Sequence, residues 1–121
     1  MMRGVTIRRQ ATLPITFRLS GQPSVTLDFV VDTGFTEFLT LPLAAVTAMR
    51  LPFSHEEFAG LADGSTITIA VHVATILWNG IERRVSVVAT GRRPLLGTAL
   101  LDDQELRAQF RESGLVTVEE L

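Results

Sequence analysis

Residues 29–42 read FVVDTGFTEFLTLP: an apolar run enters Asp32, the chain turns at Thr33-Gly34, and an apolar run resumes. A carboxylate thus stands between two stretches that look buried. An isolated ionised carboxylate inside a core costs several kcal/mol or gives up its charge, so Asp32 calls for hydrogen bonds, a partner charge, or a task that uses a perturbed acid.

Outward from Asp32 the dominant period is two. Ser24 to Val31 puts Val25, Leu27, Phe29 and Val31 on one face and Ser24, Thr26 and Asp28 on the other, the pattern of a half-buried strand. Upstream, Ser20-Gly21-Gln22-Pro23 turns the chain, and Thr12 to Leu19 repeats the alternation with Leu13, Ile15, Phe17 and Leu19, so the two strands predict a hairpin. Downstream, Thr66 to Leu77 aligns Ile67, Ile69, Val71 and Val73, Asn79-Gly80 is a two-residue hairpin signal, and Ile81 to Ala89 is the returning strand. Gln104 to Phe110 and Leu115 to Val118 flank Glu112-Ser113-Gly114 as a last hairpin. Helix is confined to Pro42–Met49, with proline in the first turn, and to a short segment at Thr98–Asp103. Many short strands predict an all-β fold, a small barrel or sandwich.

Composition narrows the function. The 121 residues suit one domain spanning 1–121. A hydrophobic share of 46% leaves apolar surface available for a partner, which makes self-association an expectation. A net charge of -2 supplies no basic field for nucleic acid, and Arg83-Arg84 and Arg92-Arg93 are too few for such a footprint. Without cysteine there is no disulfide, thiolate metal site or thiol nucleophile. His55 and His72 have no spaced ligands around them, so no metal is expected, and no Gly-x-Ser-x-Gly elbow supports a serine nucleophile. Trp78 reads as a hairpin packing residue, and Glu56-Glu57 and Asp102-Asp103 read as solvated charges. No stretch approaches the roughly 18 apolar residues of a membrane span, and Met1-Met2-Arg3-Gly4 opens on alternation rather than a signal core. The expectation is a cytoplasmic protein that does not engage membranes.

One internal echo bears on Asp32. Val30-Val31-Asp32-Thr33-Gly34 returns as Val87-Val88-Ala89-Thr90-Gly91, each copy ending a strand and preceding an apolar segment and a short helix. If the halves correspond, Ala89 fills the place of Asp32, and one chain supplies one carboxylate.

Four pieces between about Val25 and Phe110 carry a resemblance: Val31-Asp32-Thr33-Gly34-Phe35, Leu61-Ala62-Asp63-Gly64, Trp78-Asn79-Gly80, and Pro94-Leu95-Leu96-Gly97. Together they resemble the retropepsin-like aspartic peptidases, in particular the small bacterial single-domain type. The resemblance implies a small closed β-barrel whose subunits pair about a two-fold axis, a second chain replacing the missing half-site. It implies that Asp32 is the catalytic carboxylate, that Thr33 interlocks with its symmetry mate, and that Gly34 donates to the carboxylates. Ala62, Asp63, Gly64 and Ser65 fall where the family's flap closes over a peptide or protein substrate, and no cofactor is required. The sequence departs from the pattern at Phe35, where retroviral members carry a small residue, at Thr98, where many relatives have a dimer-bracing arginine, and at the flap, which has one glycine. The competing expectation is a barrel of the same fold serving as an inactive peptide-binding or dimerisation module, with Asp32 a turn carboxylate bonded to its own backbone.

Overall fold

The computed structural model describes residues 1–121. Ten strands follow one another: β1 (Met2–Ile7), β2 (Gln10–Arg18), β3 (Val25–Val31), β4 (Leu39–Leu41), β5 (Phe53–Gly60), β6 (Thr66–Trp78), β7 (Ile81–Ala89), β8 (Leu95–Leu96), β9 (Gln104–Ala108) and β10 (Leu115–Glu120). Helix α1 (Leu43–Ala48) follows β4, and a 3₁₀ turn at Thr98–Leu101 follows β8. The strand order is β5-β6-β7-β4-β8-β3-β2-β1-β10-β9. β6 also pairs with β2, through Phe17↔Ile76 and Arg18↔Thr75, which closes β6, β7, β4, β8, β3 and β2 into a ring. The fold is all-β as the alternation predicts.

The core forms where the alternating faces meet. Leu13, Ile15 and Phe17 of β2 are fully buried, and Leu13 sits opposite Phe29 in the β2–β3 ladder. The Phe17 and Phe29 rings stack with centroids 5.9 Å apart. Each such side chain contributes about 1.5–3 kcal/mol by leaving water. On β3 only Phe29 is fully buried, while Val25, Leu27 and Val31 lie at the margin of the core. β4 is buried along its whole length, Leu39, Thr40 and Leu41, because β7 and β8 flank it. Trp78 packs into the same cluster, as its hairpin position suggests.

β6 departs from the single apolar face expected of it. Val71 is buried, but further along the buried positions are Ala74, Ile76 and Trp78, and Ile67 is exposed. The inner half of this strand lies in the ring against β2 and β7, whereas the outer half has only β5 beside it and projects as a two-stranded arm. The buried parity changes between Val71 and Ala74, where β6 passes from the stretch paired with β5 into the stretch that β7 and β2 flank, so different faces meet the core in the two parts.

The echo has a structural counterpart. β3, its turn, β4 and α1 correspond to β7, its turn, β8 and the 3₁₀ turn, and the halves exchange their short strands. β8 lies parallel to β3 (Val30↔Leu95, Val31↔Leu96), and β4 lies parallel to β7 (Leu39↔Val87, Leu41↔Ala89). β4 and β8 meet antiparallel between them (Leu39↔Leu96). Asp32 and Ala89-Thr90 therefore occupy related ends of β3 and β7.

Candidate active site

Asp32 leaves the end of β3 half-buried, with Thr33 and Gly34 exposed beyond it. The carboxylate is thus not enclosed in the core, although apolar residues flank it in sequence. The Asp32 N–H donates to the Leu96 carbonyl at 2.9 Å, and the Phe35 N–H closes the turn onto the Asp32 carbonyl at 3.1 Å. The Gly34 N–H donates to Asp32 Oδ1 at 2.9 Å. A Cβ at Gly34 would stand 3.3 Å from that oxygen, tighter than ordinary contact, so the close backbone approach suits glycine. The Thr33 side chain has no hydrogen-bond partner within the chain.

The second half of the chain braces this turn. The Gly97 N–H donates to the Phe38 carbonyl and the Thr98 N–H to the Phe35 carbonyl, both at 2.8 Å, with Thr98 Oγ1 donating to the same Phe35 oxygen at 3.4 Å. Gly97 is packed so closely that a Cβ would run into the Glu37 carbonyl and the Phe35 ring. Phe35 is therefore half-buried against Gly97, and Thr98 ties down the loop that follows the carboxylate.

A cleft of about 450 Å³ opens beside Asp32 and Thr33. Val30, Val31, Leu95, Leu106, Ala108 and Phe110 are among its apolar lining residues, and Arg9, Gln10 and Arg93 line it as polar ones. These three polar residues escaped the sequence reading. Arg93 was visible there only as part of a short basic pair, and Arg9 sits in a turn with no recognisable hairpin signal.

Ala62, Asp63, Gly64 and Ser65 form the exposed tip of the arm between β5 and β6, and they do not line this cleft. The Leu61 N–H donates to the Ser65 carbonyl at 2.8 Å and the Gly64 N–H to the Leu61 carbonyl at 3.0 Å. Gly64 has φ +86°, a left-handed conformation that favours glycine. The Ser65 hydroxyl and the Ser65 N–H both donate to Asp63 Oδ1, and these bonds, the hydroxyl first, hold the Asp63 carboxyl below its ordinary value of 3.8. Phe58, on the arm's outer half, is 82% exposed, with Leu61 and Ile67 exposed nearby.

His55 is exposed between Ser54 and Glu57, and His72 is half-buried with Nδ1 2.9 Å from the Leu51 carbonyl oxygen. No three His, Asp or Glu side chains converge as a metal-ligand group.

The ring of six strands, with Asp32-Thr33-Gly34 ending one half and Ala89-Thr90-Gly91 ending the related half, is a retropepsin-like fold. The chain superposes on the crystal structure of a retropepsin-like aspartic protease from Rickettsia conorii with a TM-score of 0.63, covering 99% of this chain and 91% of that one at 15% sequence identity. No family model and no curated protein matches the sequence. No helix is long and apolar enough to cross a membrane.

Proposed function

We propose that the protein is a cytoplasmic homodimeric aspartic endopeptidase in which Asp32 from each of two subunits forms the catalytic dyad. The observation that carries this reading is the asymmetry of the two related turns. One ends in Asp32-Thr33-Gly34 within a cleft, and its counterpart carries Ala89 in a chain of retropepsin-like fold. Two carboxylates a few ångströms apart do not both ionise comfortably, so a dyad shares one proton. The ionised Asp32 takes a proton from a bound water as its oxygen attacks the peptide carbonyl carbon. The protonated partner donates to the carbonyl oxygen. As the resulting diol collapses and the C–N bond breaks, the proton held by the dyad passes to the departing amine and one diol hydroxyl returns its proton to the dyad, leaving a carboxylic acid.

Gly34 keeps one oxygen of Asp32 engaged and so orients the carboxylate. Thr33, exposed and unpartnered, is free to meet its mate. Val5 and Leu115, opposite one another on β1 and β10, and Ile7 are exposed apolar side chains that a second copy would cover. The arm carrying Ala62–Ser65 would close over an extended peptide through backbone hydrogen bonds.

A second reading has its own support. The one hydrogen bond that the Asp32 side chain makes within the chain goes to its own turn, as it would in an inactive peptide-binding or dimerisation module. Cleavage of a mixed peptide library by wild type and Asp32→Asn separates the two. Loss of cleavage in a folded variant supports the dyad, and equal cleavage by both eliminates it. Wild type that binds peptides without cutting them supports the module. A monomer in sedimentation at about millimolar concentration, beyond the weak-affinity range, counts against the endopeptidase.

A further inference from the structure

The cleft beside Asp32 carries two guanidinium groups that no carboxylate of the chain satisfies. The ion pairs of the molecule are Arg18–Glu82 and Arg107–Glu105, and neither lines this cleft. Arg9 has neither a hydrogen-bond nor an ion-pair partner for its side chain. Arg93 donates from Nη1 to Gln10 Oε1 at 2.8 Å, which fixes one edge of its guanidinium and leaves other N–H groups to recognise a ligand.

The backbone supports a task for Arg9. β1 and β2 are joined by a two-residue turn, Ile7 opposite Gln10, whose central residues Arg8 and Arg9 have φ of 50° and 66°. Asn-Gly is the usual occupant of such a turn because both positions are left-handed. Two arginines there carry a backbone cost that Asn-Gly would avoid, and strain of this kind clusters at ligand sites. Beside Asp32, Thr33 and Gln10 the remaining lining of the cleft is apolar, and Leu95, Leu106 and Ala108 offer surface for a methylene stem in the same cleft as the two arginines. The chain as a whole is net negative, so this positive character is local.

We infer that the cleft selects peptides with a Glu or Asp side chain beside the scissile bond, and that Arg93 and Arg9 are the specificity-determining residues. The inference rests on the endopeptidase reading of Asp32. The substrate side chain lays its stem along the apolar lining residues, and its carboxylate accepts charge-assisted hydrogen bonds from the free guanidinium edges.

Paired peptides that differ only by Glu or Gln at one position flanking the cleaved bond test it. Wild type should show a kcat/KM about tenfold higher for the Glu peptide, and the ratio should shrink as salt is added. Arg93→Gln and Arg9→Gln should each bring the ratio toward one, and Arg93→Glu should reverse it in favour of a Lys peptide. Both arginines are exposed, so these variants should fold, and the ratio is internal to each protein. Equal kcat/KM for the two peptides in wild type, or a preference that both Gln variants retain, overturns the inference. Should wild type cleave neither peptide, fluorescence anisotropy of the same pair decides. A Glu preference abolished by Arg93→Gln then upholds the selectivity of the cleft while the endopeptidase reading falls, and equal binding of both peptides overturns the two together.

Discussion

The backbone N–H of Asp32 donates to the carbonyl oxygen of Leu96 at 2.9 Å, so the turn that carries this carboxylate hangs from the half of the molecule whose related turn carries Ala89. Support and carboxylate are divided between the halves. The Asp-Thr-Gly turn presents the acid, and Leu96, Gly97 and Thr98 hold it in register with β8.

Gly97→Ala should therefore be strongly destabilising. Its Cβ would meet the Glu37 carbonyl and the Phe35 ring, and the backbone there is already committed to hydrogen bonds. A loss of about 3 kcal/mol is expected in urea denaturation. Gly34→Ala, whose Cβ meets only a side-chain oxygen, should cost less than about 1 kcal/mol.

Asp32→Asn should leave the fold nearly as stable as wild type, because an amide oxygen can accept the Gly34 N–H as the carboxylate does. Asp32→Ala removes the acceptor and should cost about 1 kcal/mol. Equal losses for the two variants in chemical denaturation would show that charge, rather than the hydrogen bond, stabilises the turn.

At the tip of the arm, the folded-state carboxyl of Asp63 titrates below 3.8 because the Ser65 hydroxyl and N–H bond to its ionised form. A depressed acid contributes stability above its unfolded value, and that contribution is lost as pH falls through the folded one. The turn should consequently loosen only at pH below 3.8. In an NMR titration of the carboxyl carbon, Ser65→Ala should move the Asp63 midpoint back toward 3.8.

The arm should also be the least protected part of the sheet. Its tip is exposed, and Phe58 has no core to enter. Amide exchange at Ala62–Ser65 should be fast in the free protein and slow when an extended peptide-like inhibitor binds. Phe58→Ser should alter stability by no more than about 0.5 kcal/mol while weakening that inhibitor.

Replacing Arg8-Arg9 by Asn-Gly should stabilise the chain, since both positions hold positive φ. A gain of about 1 kcal/mol or more is expected from relief of the left-handed strain. Any loss of acidic-peptide selectivity in the same variant would measure what the strain secures.

Legibility in sequence followed the length and sidedness of each element. β2, β3 and β7 were readable because each has one buried and one open face, which period-two alternation records. β4 and β8, of three and two residues, are too short for any period, yet they are the strands that exchange between the halves. β5 is exposed along almost its whole length, shows no period-two alternation, and is a strand because β6 pairs with it. β1 also went unread as a strand, although it joins β2 to β10 and so ties the end of the chain to the ring.

By itself, the sequence determined the all-β class, the Asp32-Thr33-Gly34 turn and its echo at Ala89-Thr90-Gly91. Each of these is written in local pattern and turn chemistry, whereas Ala62–Ser65 stood out through the family resemblance alone. Only the tertiary structure decided that Leu96, Gly97 and Thr98 brace the carboxylate turn, that β6 changes its buried parity, and that Arg9, Gln10 and Arg93 share a cleft with Asp32. Those relations join residues tens of positions apart through backbone hydrogen bonds and packing, which any residue type can make, so no local signal announces them.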